Sequence, residues 1–201
     1  MAANRSDNLE RDLLIVEATI RDLKDHLLGD SIYWELRRPS AGGYSLPKGT
    51  LGGLLMRLHR LNALRDDLTP AQAERLDTAT TTAEETLHRW DVQAREMASR
   101  ETSARLGLWQ NYVAELADNP RRYTPEYATQ AEGRTALSML LTFSGDSGRE
   151  ALAQVGSVDA MLKAVPAEEG FVWDDELSAA YPQHEFWWLY LRPLPEKSEE
   201  D

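Results

Sequence analysis

Residues 6–28 place apolar side chains at Leu9, Leu13, Val16, Ile20, Leu23 and Leu27, in alternating steps of four and three. That spacing brings all six onto one seam of an α-helix. Ser6 or Asp7 can cap its start, Glu10 stands three after Asp7, and Gly29 is a natural stop. Trp34 resumes the stripe, which predicts a short second helix or a kinked continuation over 31–38, ahead of Pro39. The connector 39–53 carries five Gly and two Pro and breaks any regular element. Residues 54–66 then read as a helix presenting Leu55, Leu58 and Leu61.

The longest run without punctuation lies between Thr69-Pro70 and Asn119-Pro120, with Gly107 alone inside it. Thr69 supplies the cap, Pro70 suits the first helical position, and Gln72 completes a capping box. The pattern predicts one helix over 70–117, which at 1.5 Å per residue is about 70 Å long. Its seam follows Thr80, Ala83, Leu87, Trp90, Ala94, Met97, Glu101, Ala104 and Leu108. Four acid-to-arginine pairs at i,i+4 flank it: Glu85 to Arg89, Asp91 to Arg95, Glu96 to Arg100 and Glu101 to Arg105. The alternative is a break near Thr78–Thr82, where four threonines in five positions lower helix propensity.

Thr124-Pro125-Glu126 opens another helix to Phe143; Ser147 with Glu150 then caps a short one stopped at Gly156, and Ser157 caps a last one before Pro166. No period-two alternation marks a strand outside the C-terminal region. The expected fold is all-α, an elongated antiparallel helical bundle with one very long helix and short C-terminal helices. It divides by sequence character into a bundle over 1–143, a helical pair over 144–166 packed on it, and an acidic aromatic segment over 167–201 whose last residues face solvent.

Composition narrows the class. The 201 residues are 42% hydrophobic and 28% charged, enough for one core, and contain no Cys, which excludes disulfides, thiolate metal sites and thiol nucleophiles. No signal-like or membrane-spanning apolar run is present, so a cytoplasmic location is expected. Of the net charge of −12, residues 159–201 contribute −8, eleven acids against Lys163, Arg192 and Lys197. Broad nucleic-acid binding is disfavoured on such a surface. The same region holds Phe171, Trp173, Tyr181, Phe186, Trp187, Trp188 and Tyr190. These rings either dock on the bundle and complete its core or anchor another protein, because Trp and Tyr dominate binding hot spots.

Candidate chemistry is sparse. The Gly-rich connector lacks the spacing of a phosphate loop. Glu85 and His88 have a metal-ligand spacing, but no second copy supplies the rest of a carboxylate-bridged site. No metal and no cofactor is expected. Arg21-Asp22-Leu23-Lys24-Asp25-His26 resembles the active-site motif of HEPN-domain ribonucleases, all-helical proteins that cut RNA without metal. That resemblance implies Arg21 and His26 as a catalytic pair. The alternative is a helix C-terminus whose Lys24 and His26 complement the dipole. A third class, small-molecule binding inside the bundle around Trp90, Trp109 and Tyr112, is also open.

The reading that joins these observations is a non-catalytic protein–protein interaction protein, an adaptor, scaffold or regulatory subunit. Self-association or a helical partner covers the coiled-coil-like seams, and the contact residues are Trp90, Met97, Leu108, Trp173, Phe186, Trp187, Trp188 and Tyr190.

Overall fold

A computed structural model describes residues 5–36 and 46–195; the expected solvent-facing end over 196–201, and parts of the connector and of the 31–38 helix, lie outside them. The described chain is helical apart from one two-stranded sheet, and it packs as two compact units, Met1–Glu101 and Thr102–Asp201. This grouping follows packing, where the sequence divisions at 143 and 166 follow composition.

In the first unit α1 (Arg5–Leu27) realises the opening seam, burying Leu9, Leu13, Val16, Leu23 and Leu27, with only Ile20 left half-covered. No helix forms over the described part of 31–38. Trp34 instead exchanges backbone hydrogen bonds with Gly49, Trp34 N–H to Gly49 O at 3.2 Å and Gly49 N–H to Trp34 O at 2.8 Å. That bridge sets α2 (Leu51–Ala63) beside the end of α1, while Arg60 reaches back to Asp12 at 2.7 Å, so α1 and α2 run in opposite directions. The helix starts three residues earlier than expected. Thr50 Oγ1 accepts the Gly53 N–H at 2.9 Å and the buried Glu101 carboxylate accepts the Gly52 N–H at 3.0 Å, so both glycines are drawn into the first turn.

α3 (Pro70–Arg89) begins as its sequence signals, with Thr69 and Gln72 forming the reciprocal capping box. It runs in the same direction as α1: Gln72 meets Glu10, Arg75 meets Glu17, and Lys24 lies over the Trp90 ring. A uniformly antiparallel arrangement is therefore not what this unit adopts.

The single helix over 70–117 is two. α3 ends at Arg89 and α4 (Asp91–Asp118) follows, parted at Trp90, whose φ of −114° and ψ of 39° turn the chain. The ladder holds on either side, Trp90 N–H to Thr86 O at 3.0 Å and Ala94 N–H to Trp90 O at 2.8 Å, so the turn costs little hydrogen bonding. Electrostatics favours the place: His88 and Arg89 end one helix, and Asp91, paired with Arg95 at 2.9 Å, begins the next. The alternative break at Thr78–Thr82 does not occur. The hydroxyls of Thr78 and Thr82 fold back onto the carbonyls of Glu74 and Thr78 and satisfy themselves within the helix. Of the expected i,i+4 pairs Asp91 to Arg95 is formed; Arg100 also reaches the Gly29 and Asp30 carbonyls, and the Glu101 carboxylate accepts the Gly52 N–H of α2.

The second unit takes the remainder of α4, then α5 (Pro120–Tyr123), α6 (Tyr127–Ser144) and α7 (Arg149–Lys163). Asn119 ends α4 and caps α5 by accepting the Arg122 N–H at 3.2 Å. The two short helices expected around Gly156 are one. Gly156 and Ser157 lie within α7, and the Ser157 hydroxyl bonds the Ala153 carbonyl instead of capping a new start. Beyond Pro166, β1 (Ala167–Glu169) and β2 (Leu191–Pro193) pair antiparallel, Glu168 opposite Arg192, and close a loop of 3₁₀ turns that carries the aromatic residues.

Two tests concern the α1–α2 junction. A Cβ on Gly49 would sit 2.5 Å from Trp34 Nε1 and 2.7 Å from Leu36 Cδ2, so Gly49→Ala should cost about 1–3 kcal/mol by urea denaturation. The half-buried His26 ring stacks on Trp34 at 4.0 Å and 18°. Burial holds its pKa below the ordinary 6.5, against the opposing pull of Asp22 and Asp25. A depressed folded-state pKa means that its contribution is complete above pH 6.5 and is lost as the pH falls below that value. The urea midpoint should therefore drop more between pH 7.5 and 5.5 in the wild type than in His26→Phe, which keeps a ring and cannot titrate.

Candidate functional site

The aromatic C-terminal segment carries five of the eight candidate contact residues, and it packs against a buried ion pair. On α7, Val155, Val158 and Leu162 form an apolar face, and Asp159 shares it at 8% exposure. Its carboxylate accepts from Arg134 Nε at 3.1 Å and Nη2 at 2.8 Å, and from Trp109 Nε1 at 3.2 Å. The Arg134 guanidinium, itself 5% exposed, lies 3.8 Å from the Trp188 ring centre. Trp188 donates its Nε1–H to Thr135 Oγ1 at 3.0 Å, and the Tyr127 hydroxyl donates to the Trp188 carbonyl at 2.7 Å. Burial pushes the Tyr127 phenol well above its ordinary pKa, so this hydroxyl stays a donor at all physiological pH.

The segment is thus fastened to α6 by the polar edges of its own rings. Trp173 adds a third fastening, Nε1–H to the Ala128 carbonyl at 2.8 Å. Phe171, Trp173, Tyr181, Phe186 and Trp188 follow one another edge-to-face, with ring centres 6.2, 5.2, 5.1 and 5.6 Å apart in turn. Trp109 and Tyr112 stack at 5.8 Å and pack against Tyr127.

The predicted contact residues therefore part company. Met97, Phe186 and Trp188 are buried; Trp90, Trp173, Trp187 and Tyr190 are half-buried; Lys163 covers Trp187 at 4.3 Å. Leu108 is 57% exposed. The reason is helical phase: a strict seven-residue repeat slips about 20° per heptad on a straight helix. After Glu101 the buried face of α4 passes through Thr102, Leu106, Trp109, Val113 and Leu116, leaving Leu108 outside. Beside it, a Cβ on Gly107 would meet nothing within 4 Å. Ala104, Gly107, Leu108 and Asn111 stand at i, i+3, i+4 and i+7, the four corners of a hole for a knob from another helix.

Arg21 and His26 are not brought together. Five residues on a helix are about 140° apart, and accordingly the exposed Arg21 lines a groove against α3 while His26 stacks on Trp34. Glu85 and His88 are exposed on α3, and among the described residues no group of three or more His, Asp or Glu converges as a metal centre would require. Sequence reasoning missed Arg134 and Asp159; the available signal was an acid at a core position of α7, three before Leu162.

Compared with protein-family models, curated proteins and solved structures, the chain matches none of them.

Removing one partner of a buried pair strands the other. Arg134→Met should cost about 3–5 kcal/mol and loosen Trp188, read as lost near-ultraviolet dichroism, whereas Arg134→Met with Asp159→Leu should recover much of the loss.

Proposed function

We propose that the protein is a non-catalytic protein–protein interaction protein, an adaptor, scaffold or regulatory subunit, whose α4 engages a helix of a partner or of a second copy. The observation that carries this reading is Leu108: a large apolar side chain 57% exposed beside a helix-interior glycine with open space over it. Glycine within a helix costs about 1 kcal/mol relative to alanine. Among the described residues nothing requires it at position 107, and close approach of another helix would.

The aromatic segment supports the reading in a narrower way. Its rings mostly complete a core, leaving Trp173, Trp187 and Tyr190 half-covered, with Glu168, Glu169, Asp174, Asp175, Glu176 and Glu185 exposed around the segment. Such a rim sets partner charge and association rate more than affinity. Among the described residues no helix is long and apolar enough to cross a membrane, and a cytoplasmic setting belongs to the same proposal.

Light scattering at tens of micromolar, and crosslinking in the native host, test it. The wild type should exceed the monomer mass or crosslink to a helical protein, and Leu108→Glu, an exposed change with little effect on folding, should weaken the association about tenfold or more. A strictly monomeric chain with no crosslinked partner, indifferent to Leu108→Glu, would remove the reading.

A further inference from the structure

α7 is packed on one side only. Val155, Val158, Asp159 and Leu162 face the core, whereas the side turned away carries Leu152 at 57% and Met161 at 49% exposure, with Ala153, Gly156, Ser157 and Ala160 exposed between them. Between Glu150 and Lys163 no exposed residue of the helix is charged; the one charge in that stretch is Asp159, buried on Arg134. In a chain that is 28% charged, about three turns of solvent-facing helix without a charge call for a reason. At the middle of that face a Cβ on Gly156 would meet nothing within 4 Å, so alanine would fit and would favour the helix. The Ser157 hydroxyl is folded back onto the Ala153 carbonyl at 3.3 Å and is spent on its own backbone. Small residues in the middle with a large apolar side chain at either end give the shape that lets two helices approach closely.

The face also reads alike in both directions about a point between Gly156 and Ser157. Ala153 mirrors Ala160, Leu152 mirrors Met161, and the acid Glu150 mirrors the base Lys163. A twofold axis through that point, perpendicular to the helix, brings each member of a pair opposite the other member on a second copy, as an isologous contact requires. A parallel copy would instead set Glu150 on Glu150 and Lys163 on Lys163, and would align the two helix dipoles. Arg149, at the start of the helix, is held by Asp146 at 2.6 Å. Lys163 lies over the Trp187 ring at 4.3 Å and is exposed; an ammonium has several donors, so that contact leaves others for a carboxylate. Glu168 and Glu169, the next acids along the chain, belong to β1, where Glu169 accepts from Gln183 at 2.8 Å.

We propose that α7 pairs with α7 of a second copy, antiparallel, crossing at Gly156 and Ser157. Leu152 packs against the partner's Met161, Ala153 against the partner's Ala160, and Glu150 faces the partner's Lys163. One helix pair buries less than the roughly 1,600 Å² of a standard interface, so the pairing is weak and depends on concentration in the micromolar range. This rests on the reading of the chain as an interaction protein and names a second copy as one partner, but it does not use Leu108 or α4.

The chain has no cysteine, so single substitutions report the geometry by disulfide formation. At tens of micromolar under mild oxidation Ser157→Cys, at the crossing point, should form a covalent dimer about tenfold or more faster than Thr81→Cys, an exposed control on α3, because pairing raises the effective concentration. Ala153→Cys and Ala160→Cys should each stay monomeric alone and crosslink when mixed. In the antiparallel pair position 153 lies about 10 Å along the axis from its own copy, beyond the roughly 7 Å reach of a disulfide. Gly156→Gln, which favours the helix yet fills the crossing point, should bring Ser157→Cys down to the control rate with the circular dichroism unchanged. A Ser157→Cys rate equal to the control, self-crosslinking of Ala153→Cys as fast as the mixture, or indifference to Gly156→Gln would each overturn the pairing. The Ser157→Cys dimer should survive Leu108→Glu. An assembly lost in Leu108→Glu with no fast disulfide at position 157 would overturn the α7 pairing alone and leave the reading of α4 standing.

Discussion

A carboxylate taken out of water has to find a cation or a set of amide donors, and in both units that requirement fixes where the helices stand. In the first unit Asp12 accepts from Arg60 at 2.7 Å and lies 3.4 Å from Arg57, which ties the middle of α1 to α2. Glu101, with no exposed surface, meets the Gly52 amide at the start of α2. In the second unit Asp159 ties α7 to α6 through Arg134 and to α4 through Trp109. Apolar faces tolerate sliding because burial is roughly proportional to area whatever the register, whereas an ion desolvated without its partner costs several kcal/mol. These contacts therefore select one register among many of similar apolar burial.

The same contrast explains what the sequence showed and what it did not. The α1 seam, the Thr69–Gln72 box and the span of α6 could be read because each depends on residues within a turn or two. The turn at Trp90 could not be read from propensity, which pointed to Thr78–Thr82; threonine's cost there is offset locally by back-bonding, while nothing about Trp90 itself disfavours a helix. The charge pattern did carry a trace of it, His88 and Arg89 before Asp91. Similarly, Glu101 reads as the start of an i,i+4 pair, and only the fold reveals that α2 claims it from 49 positions away. Leu108 was legible as a seam residue, whereas the α1–α3 groove was not, because a groove is a property of two helices and the direction of α3 relative to α1 is not written in either.

The aromatic segment shows why composition is a poor guide to a binding motif. Acids and tryptophans interspersed suggest a linear motif for a partner. Yet an indole carries one donor that must be satisfied when buried, and Trp173, Trp188 and Trp109 each find an acceptor inside the unit, on Ala128, Thr135 and Asp159. Three such matches would be difficult to reproduce on a foreign surface while also leaving this core intact. The charges remain outside because nothing within could neutralise them.

Some local departures from good helix design have no cause among the described residues. Gly107 in α4 has open space where a Cβ would be, so alanine would fit and would favour the helix by about 1 kcal/mol. The threonines of α3 accept lower propensity and back-bonding, yet Thr78 and Thr82 are exposed and Ile20 beside them stays half-covered. Some departures have reasons that can be named: Gly49 lies against the Trp34 indole, and the Gly53 Cβ would press on Thr50 Oγ1 at 2.9 Å, whereas Gly156 within α7 has, like Gly107, nothing within 4 Å of its Cβ position. Where a cost has no compensating contact within the molecule, the compensation is to be sought outside it. At one of these places Leu108 protrudes beside Gly107, and at another the threonine hydroxyls of α3 are turned back onto their own helix. The exposed Leu108 beside Gly107, and not the acidic aromatic composition, is what supports the proposed reading of contact.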